Sequence, residues 1–128
     1  MVEVSGTEAL WLLGGAAQGR LVYVQRESPV VRPAVHLLQY GRLIVRTPAQ
    51  AAAVSGRAVF TYQADEIRVP EGTGWSVAVS GPAEVITDPD EAAHYRRTLP
   101  GWIYGPHDTL MRVHPQTVTG FQLAHEEA

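Results

Sequence analysis

The chain has 128 residues with a formal net charge of −3, and 45% of its residues are apolar. This length suits one domain with a hydrophobic core, so we expect residues 1–128 to form a single domain. The scattered basic residues argue against a nucleic-acid surface, and no apolar run reaches the roughly 20 residues that a membrane-spanning helix requires. We therefore expect a cytoplasmic protein that binds neither nucleic acid nor membrane.

Two residue types that often carry chemistry are absent. The chain contains no cysteine, which excludes disulfides, thiol catalysis and cysteine-ligated metal centres. All ten basic residues are arginine, so Schiff-base chemistry on an internal lysine is excluded as well. The replacement of lysine by arginine fits a GC-rich genome and hints at a bacterial source.

The first half of the chain predicts a helix, a β-hairpin and a third strand. Ser5 and Glu8 form a capping-box pattern, and apolar residues at helical spacing follow until Gly19. From Arg20 the apolar period changes to two, which predicts strands separated by turns at residues 27–29 and 40–41. A strand over residues 43–46 is followed by a predicted short helix over residues 49–54, which ends at residues 55–56.

The second half predicts further strands around one more helix. Residues 58–64 are predicted as a strand, and residues 75–87 as a long strand that bends at residues 80–82, where proline cannot donate a ladder hydrogen bond. Asp88 and Pro89 are typical of a helix start, so residues 89–98 are predicted to be helical. Strands over residues 110–114 and 118–123 complete the chain. Six or seven strands with three short helices indicate a mainly β fold, an antiparallel barrel with helical decoration.

Most catalytic motifs are missing. The five histidines show no metal-binding spacing, so we expect no metal site. The chain has no G-x-S-x-G motif, and the adjacent His107 and Asp108 are interpreted as part of a turn. Neither Gly14-Gly15 nor the glycines around Thr73 complete a dinucleotide-binding fingerprint, and we interpret both as turns.

The pair Arg46-Thr47 is a candidate phosphate site. An arginine and a hydroxyl at the end of a strand, directly before a helix start, can together bind a phosphate group. The same residues fit a surface arginine followed by a threonine that caps the helix beginning at Pro48. The local sequence leaves both interpretations open.

The order of segments along the chain resembles that of the pyridoxamine 5′-phosphate oxidase-like family, whose fold is the FMN-binding split barrel. The most specific matches are Thr73-Gly74-Trp75-Ser76-Val77 and the final R-V-x-P-x-x-V-x-G segment, which begins at Arg112. Further matches cover almost the whole chain: Arg20-Leu21-Val22, Pro33, Ile44-Val45-Arg46-Thr47, Gly81, Glu84 and Trp102.

This resemblance implies a homodimer that binds FMN, or the deazaflavin F420 or heme, at the subunit interface. It implies that Arg46 and Thr47 contact the phosphate, that Trp75 and Ser76 lie beside the ring, and that Trp102 closes the site from the partner subunit. His36 also falls among the cofactor positions, because Pro-Ala-Val-His at residues 33–36 stands where the family often has Pro-Val-Asn-Tyr.

Two departures from the family pattern concern the phosphate site. Gln50 and Ala52 stand where the family usually has glycine and lysine after the Arg-Thr pair. Loss of one charge-assisted contact would lower phosphate affinity by roughly ten to a hundredfold. The sequence thus favours an FMN-dependent oxidoreductase with a weakened phosphate site. The alternative is a homodimer that keeps the barrel but has lost FMN, and is either non-catalytic or binds another ligand such as F420 or heme.

Overall fold

The computed structural model describes residues 1–51, 59–100 and 108–123. Within these ranges the chain forms two helices and nine strands, in the following order: β1 Val2–Val4, α1 Gly6–Gly14, β2 Gln18–Gln25, β3 Ser28–Gln39, β4 Arg42–Thr47, β5 Phe60–Arg68, β6 Thr73–Gly81, β7 Ala83–Val85, α2 Pro89–Thr98, β8 Thr109–Val113 and β9 Thr117–Leu123.

The nine strands of the described ranges form one antiparallel sheet in the order β1-β9-β6-β5-β2-β3-β4-β8-β7. The ladder is not closed between β1 and β7, but β6 runs directly into β7 and so joins distant parts of the sheet. The fold is therefore the split barrel expected from the sequence. It has nine strands where six or seven were predicted, because β1 and β7 have three residues each and are too short to show an alternating pattern.

The bend between β6 and β7 lies where the sequence predicts it. Pro82 separates the two strands, and backbone hydrogen bonds of 2.8 Å join Pro82 O to His114 N and Ser80 O to Gln116 N. A Cβ atom at residue 81 would collide with the carbonyl oxygen of His114, so only glycine fits this crossing.

The two hairpin turns differ in how well the sequence predicts them. Tyr40 and Gly41 form the second turn as expected, with φ angles of 52° and 74°. The prediction for the first turn was wrong, because its central residues are Arg26 and Glu27, with φ angles of 50° and 67°, and β3 already begins at Ser28. A proline at position 29 is tolerated in β3 since this part of the strand pairs only with β2.

Both described helices begin at the predicted caps. The Ser5 side chain accepts a hydrogen bond from the Glu8 N–H at 3.1 Å, and Asp88 accepts one from the Glu91 N–H at 2.9 Å. Helix α1 ends at Gly14, five residues before the glycine expected to stop it. Helix α2 has the predicted bounds, whereas half of the helix predicted over residues 49–54, residues 52–54, lies outside the described residues.

Two of the remaining strands follow the sequence closely. Strands β8 and β9 confirm the predictions over residues 110–114 and 118–123 to within one residue at each end. Strand β5 continues to Arg68, four residues beyond its predicted end. No helix in the described part of the chain is long and apolar enough to cross a membrane.

The sheet separates two apolar cores. The larger core fills the barrel and is closed by Leu13 and Ala9 of α1. The smaller core lies between α2 and the outer side of β4 and β8, where Ile44 and Leu110 pack against Tyr95. Strand β4 is therefore buried on both faces over residues 43–47. This explains the apolar run Leu43-Ile44-Val45 in β4.

Candidate functional site

Alternation along β6 places Trp75 and Ser76 on opposite faces of the sheet. Neighbouring side chains of a strand point to opposite faces, and Val77 and Val79 of β6 belong to the barrel core. Trp75 therefore lies on the inner face, where it is half-buried and packs against that core. Ser76 lies on the outer face, so the two residues do not present their side chains to one surface.

Arg46 and Thr47 are divided in the same way. Arg46 follows Ile44 on the outer face, and Thr47 follows Val45 on the inner face. The Thr47 side chain is fully buried, and its hydroxyl donates a hydrogen bond of 3.0 Å to the Pro33 carbonyl. Thr47 thus neither faces solvent nor caps a helix through this hydroxyl.

The Arg46 guanidinium is bound by internal acceptors. Its Nε and Nη2 atoms donate to the two carboxylate oxygens of Asp108 at 2.8 and 2.7 Å, and Nη1 donates to the carbonyls of Leu99 at 2.6 Å and Arg96 at 3.3 Å. Hydrogen bonding to Arg46 lowers the pKa of Asp108, and the same bond raises the pKa of Arg46. Arg46 is only 8% exposed, so it is not the surface arginine that one interpretation of the sequence described.

Asp108 is the residue of this cluster that the sequence interpretation missed. Asp108 also accepts hydrogen bonds from Arg96. The Arg96 Nε atom lies 3.4 Å from the Asp108 carboxylate, and Nη2 donates to the Asp108 backbone carbonyl at 3.2 Å. Two arginines therefore converge on one carboxylate. Since an external phosphate would have to displace Asp108 to reach the Arg46 donors that Asp108 occupies, the phosphate role of Arg46 and Thr47 stays a prediction.

His36 lies in the barrel core and is 3% exposed. Its Nε2 atom contacts the Leu13 carbonyl at 2.9 Å and its Nδ1 atom contacts the Tyr62 hydroxyl. Burial lowers the pKa of His36 and raises that of Tyr62. A carbonyl only accepts hydrogen bonds, so the neutral imidazole carries its proton on Nε2 and accepts the Tyr62 proton on Nδ1. These contacts hold His36 on the inner face, and its predicted role beside a cofactor stays a prediction.

An outer-face groove lies between Ser76 and Arg46. Its volume is about 340 Å³, and it is lined by Gln18, Gly19, Arg20, Pro33, Ala34 and Asp65. Ser76 pairs with Asp65 along one side, while Val35 pairs with both Gln18 and Arg46 along the other. Residues of β2, β3 and β5 therefore line one groove, in which Gln18, Arg20 and Asp65 are the polar side chains.

Arg20 is the positively charged side chain of this groove. Its Nε donates to Gln63 at 3.1 Å and its Nη2 donates to Asp65 at 2.9 Å, while the side chain remains 40% exposed. The Nη1 atom makes no hydrogen bond to any residue in the described ranges. Arg20 can therefore donate to a bound molecule without losing its internal partners.

A second cavity opens at the end of the barrel that α1 covers. It measures about 530 Å³ and is lined by Leu10, Trp11, Leu12, Gly14, Gly15, Leu38, Glu66 and Trp75. Trp75 and Glu66 also line an adjacent cavity of about 360 Å³. Trp75 thus lies in the walls of two cavities, and its position beside a cofactor ring stays a prediction. Trp102 lies outside the described residues.

The chain was compared with known proteins by sequence and by structure. A family model described as pyridoxamine 5′-phosphate oxidase matches residues 5–122. The uncharacterized protein Rv0080 of Mycobacterium tuberculosis is 35% identical over 130 residues, which cover 96% of this chain and 86% of Rv0080.

Two solved structures show the same fold. One is a Corynebacterium glutamicum protein described as a pyridoxamine 5′-phosphate oxidase, with a TM-score of 0.77, 25% identity and coverage of 98% of this chain and 94% of that one. The other is the FAD binding protein of Mycobacterium smegmatis, with a TM-score of 0.72, 26% identity and coverage of 98% and 99%. A family match over nearly the whole chain and the shared split barrel lead to one conclusion, that this chain belongs to the pyridoxamine 5′-phosphate oxidase family.

Proposed function

We propose that the protein is a homodimeric flavin-dependent oxidoreductase that binds the flavin ring in the outer-face groove. The observation that carries this proposal is the groove itself, with Arg20 donors directed to a half-exposed polar surface on the split barrel. Support comes from the family match and from the FAD binding protein of M. smegmatis, which shares this fold.

The groove fits the ring portion of a flavin. Its volume of about 340 Å³ lies within the range of about 300–1,000 Å³ that is usual for ligand pockets. A flavin ring carries carbonyl oxygens and ring nitrogens that accept hydrogen bonds, and Arg20 retains donors for them. Gln63 and Asp65 fix the Arg20 side chain, which reduces the entropy lost on binding. When bound, the flavin would supply reversible hydride and electron transfer.

The phosphate portion of a flavin fits less well. The Arg46 donors are bound to Asp108, Leu99 and Arg96, and the Thr47 hydroxyl is bound to Pro33. We therefore expect the phosphate to contribute little to binding. Riboflavin, FMN and FAD should then bind with affinities within about threefold of one another, which corresponds to less than about 1 kcal/mol.

The same outer face offers an apolar surface for a second copy of the chain. Val24 and Val31 on neighbouring strands are 58% and 53% exposed, and Ile67 and Phe121 on the same face are also exposed. Exposed apolar side chains that share one sheet face are typical of an interface. A two-fold axis through this face would place the same surface on both subunits and cover the groove on each of them.

Absorbance spectroscopy and ligand titration test the cofactor. We expect the purified protein to show a flavin spectrum, or to acquire one when riboflavin is added. Arg20→Gln should weaken riboflavin, FMN and FAD equally, by about fivefold or more. The matched control is Arg42→Gln, because Arg42 is exposed and lies outside the groove. A deazaflavin or Soret band would support F420 or heme. Failure of every flavin to bind would support the non-catalytic dimer.

Light scattering tests the dimer. The wild-type protein should have about twice the chain mass of 13.9 kDa, and Val31→Asp should convert it to monomer. Val69→Asp serves as the control, since Val69 is 81% exposed but lies in the turn after β5. A monomeric wild type, or equal behaviour of the two variants, would show that this face is not the interface.

A further inference from the structure

The cavity at the end of the barrel is separate from the flavin groove. Trp75 lines this cavity from the inner face of β6, whereas its neighbour Ser76 lies on the outer face beside the groove. The sheet itself stands between them. Whatever occupies this cavity is therefore not explained by the proposed flavin site.

Two indole rings form much of the cavity wall. Trp75 packs against the barrel core, while Trp11 is 76% exposed although Ala9 and Leu13 of the same helix are fully buried. A tryptophan left in water at the edge of a cavity loses the stabilisation that burial of its ring would supply. A flat apolar molecule placed between α1 and β6 would cover the Trp11 ring.

The charge of the cavity wall is negative. Glu66 is the charged residue among those that line it, and its ion pair with Arg68 at 3.0 Å is exposed and therefore weak. The carboxyl-terminal end of α1 at Gly14 and Gly15 forms another part of the wall, and the last turn of α1 has no basic residue. The negative end of the helix dipole thus adds to the charge of Glu66.

We propose that this cavity binds a small planar aromatic cation. Indole faces attract cations and stack with flat rings, and a carboxylate at the same wall neutralises the ligand charge. Neutral rings would bind more weakly because they would gain no charge attraction to Glu66. Anionic rings would be repelled by Glu66 and by the helix end. The volume of about 530 Å³ accommodates two fused rings with room for substituents.

Three probes that differ in charge test the proposal: N-methylquinolinium, quinoline at a pH where it is neutral, and quinoline carboxylate. Binding is followed by calorimetry and by quenching of tryptophan fluorescence. We expect the quinolinium to bind at least about fivefold more tightly than quinoline, a difference of about 1 kcal/mol, and the carboxylate to bind least. Equal or tighter binding of the carboxylate, or no binding of the quinolinium, would overturn the proposal.

Two variants with matched controls locate the site. Glu66→Gln should weaken the quinolinium about fivefold and leave quinoline unchanged, whereas Glu71→Gln should change neither, because Glu71 is exposed and does not line the cavity. Trp11→Ala should weaken both probes, and Tyr40→Ala is the control, because Tyr40 is also an exposed aromatic residue but does not line the cavity. No effect of Glu66→Gln or Trp11→Ala on quinolinium binding would exclude this cavity.

Saturation with riboflavin separates this proposal from the flavin proposal. The two faces of the sheet are distinct, so riboflavin should not change quinolinium affinity by more than about twofold. Direct competition would show that the flavin itself enters this cavity, which would overturn the separate site while leaving flavin binding intact. Quinolinium binding by a protein that binds no flavin would support this site alone.

Discussion

Arg46 binds both carboxylate oxygens of Asp108 across a separation of 62 residues. The same guanidinium donates to the Leu99 carbonyl just after α2, so one side chain joins β4, the end of a helix and the residue before β8. The pair is largely shielded, since the Arg46 side chain is 10% exposed and that of Asp108 is 34% exposed. It therefore stabilises the outer layer of the fold.

Asp108→Asn should lower the free energy of unfolding by about 2–3 kcal/mol, because it leaves the buried Arg46 without its counter-charge. This loss of stability is smaller than the loss expected on breaking a fully buried ion pair, because Asp108 is partly exposed. Urea denaturation measures the change. Asp65→Asn is the matched control, because the Arg20–Asp65 pair is more exposed and should cost less than about 1 kcal/mol. Equal losses in the two variants would contradict this account.

Asp108→Ala should make the protein discriminate between FMN and riboflavin. Removal of the carboxylate frees two Arg46 donors beside the half-exposed Arg96, and an arginine fork suits phosphate as well as it suits carboxylate. We expect FMN to gain at least about tenfold over riboflavin in the variant. Fluorescence titration of both flavins measures the ratio. An unchanged ratio would mean that Arg46 is purely structural and that its predicted phosphate role is wrong.

His36 should make the protein less stable in mild acid. Burial lowers its folded-state pKa below the unfolded value of 6.5, so the unfolded chain binds more protons as the pH falls below about 6.5. The free energy of unfolding should therefore decrease from neutral pH towards the folded pKa. His36→Gln should remove this decrease in the free energy of unfolding at acid pH. His94→Gln, on the exposed side of α2, should leave the decrease in place. Parallel pH profiles for all three proteins would refute the prediction.

Substitutions in the first hairpin turn should make the protein more stable. Arg26 and Glu27 have left-handed φ angles of 50° and 67°, which cost non-glycine residues about 1 kcal/mol each. The double substitution Arg26→Asn and Glu27→Gly supplies the residues that a two-residue turn prefers, and should raise stability by about 1 kcal/mol. Thermal denaturation measures it. Asn-Gly placed instead at residues 28–29 should destabilise the protein, since those residues belong to β3.

Local chemistry explains which elements the sequence predicts well. Asp88 and Pro89 fix the start of α2 because a cap and a first-turn proline act within one turn of helix. The Tyr40-Gly41 turn is found for the same reason, since glycine readily adopts a positive φ. The turn at Arg26 and Glu27 escapes prediction because neither residue has that preference.

The candidate sites are harder to predict because they are made by pairing between distant strands. The Arg46–Asp108 pair and the Arg20–Asp65 pair join residues 62 and 45 positions apart, and no local pattern encodes either contact. The sequence identified Arg46-Thr47 as one unit, yet alternation in β4 sends the two side chains to opposite faces. A strand that is buried on both faces does not alternate between apolar and polar residues, so its sequence does not show which side chain points to which face.

The bend at Gly81 and Pro82 has a consequence for cooperative unfolding. Strand β7 is a three-residue edge that would fray alone, but it is covalently continuous with β6, which lies between β5 and β9. If β7 separates from β8, the continuous segment of β6 and β7 is loosened, and β6 is the strand on which β9 pairs at the other end of the sheet. Amide protons of β8 and β9 should therefore exchange with deuterium at similar rates, as parts of one opening unit.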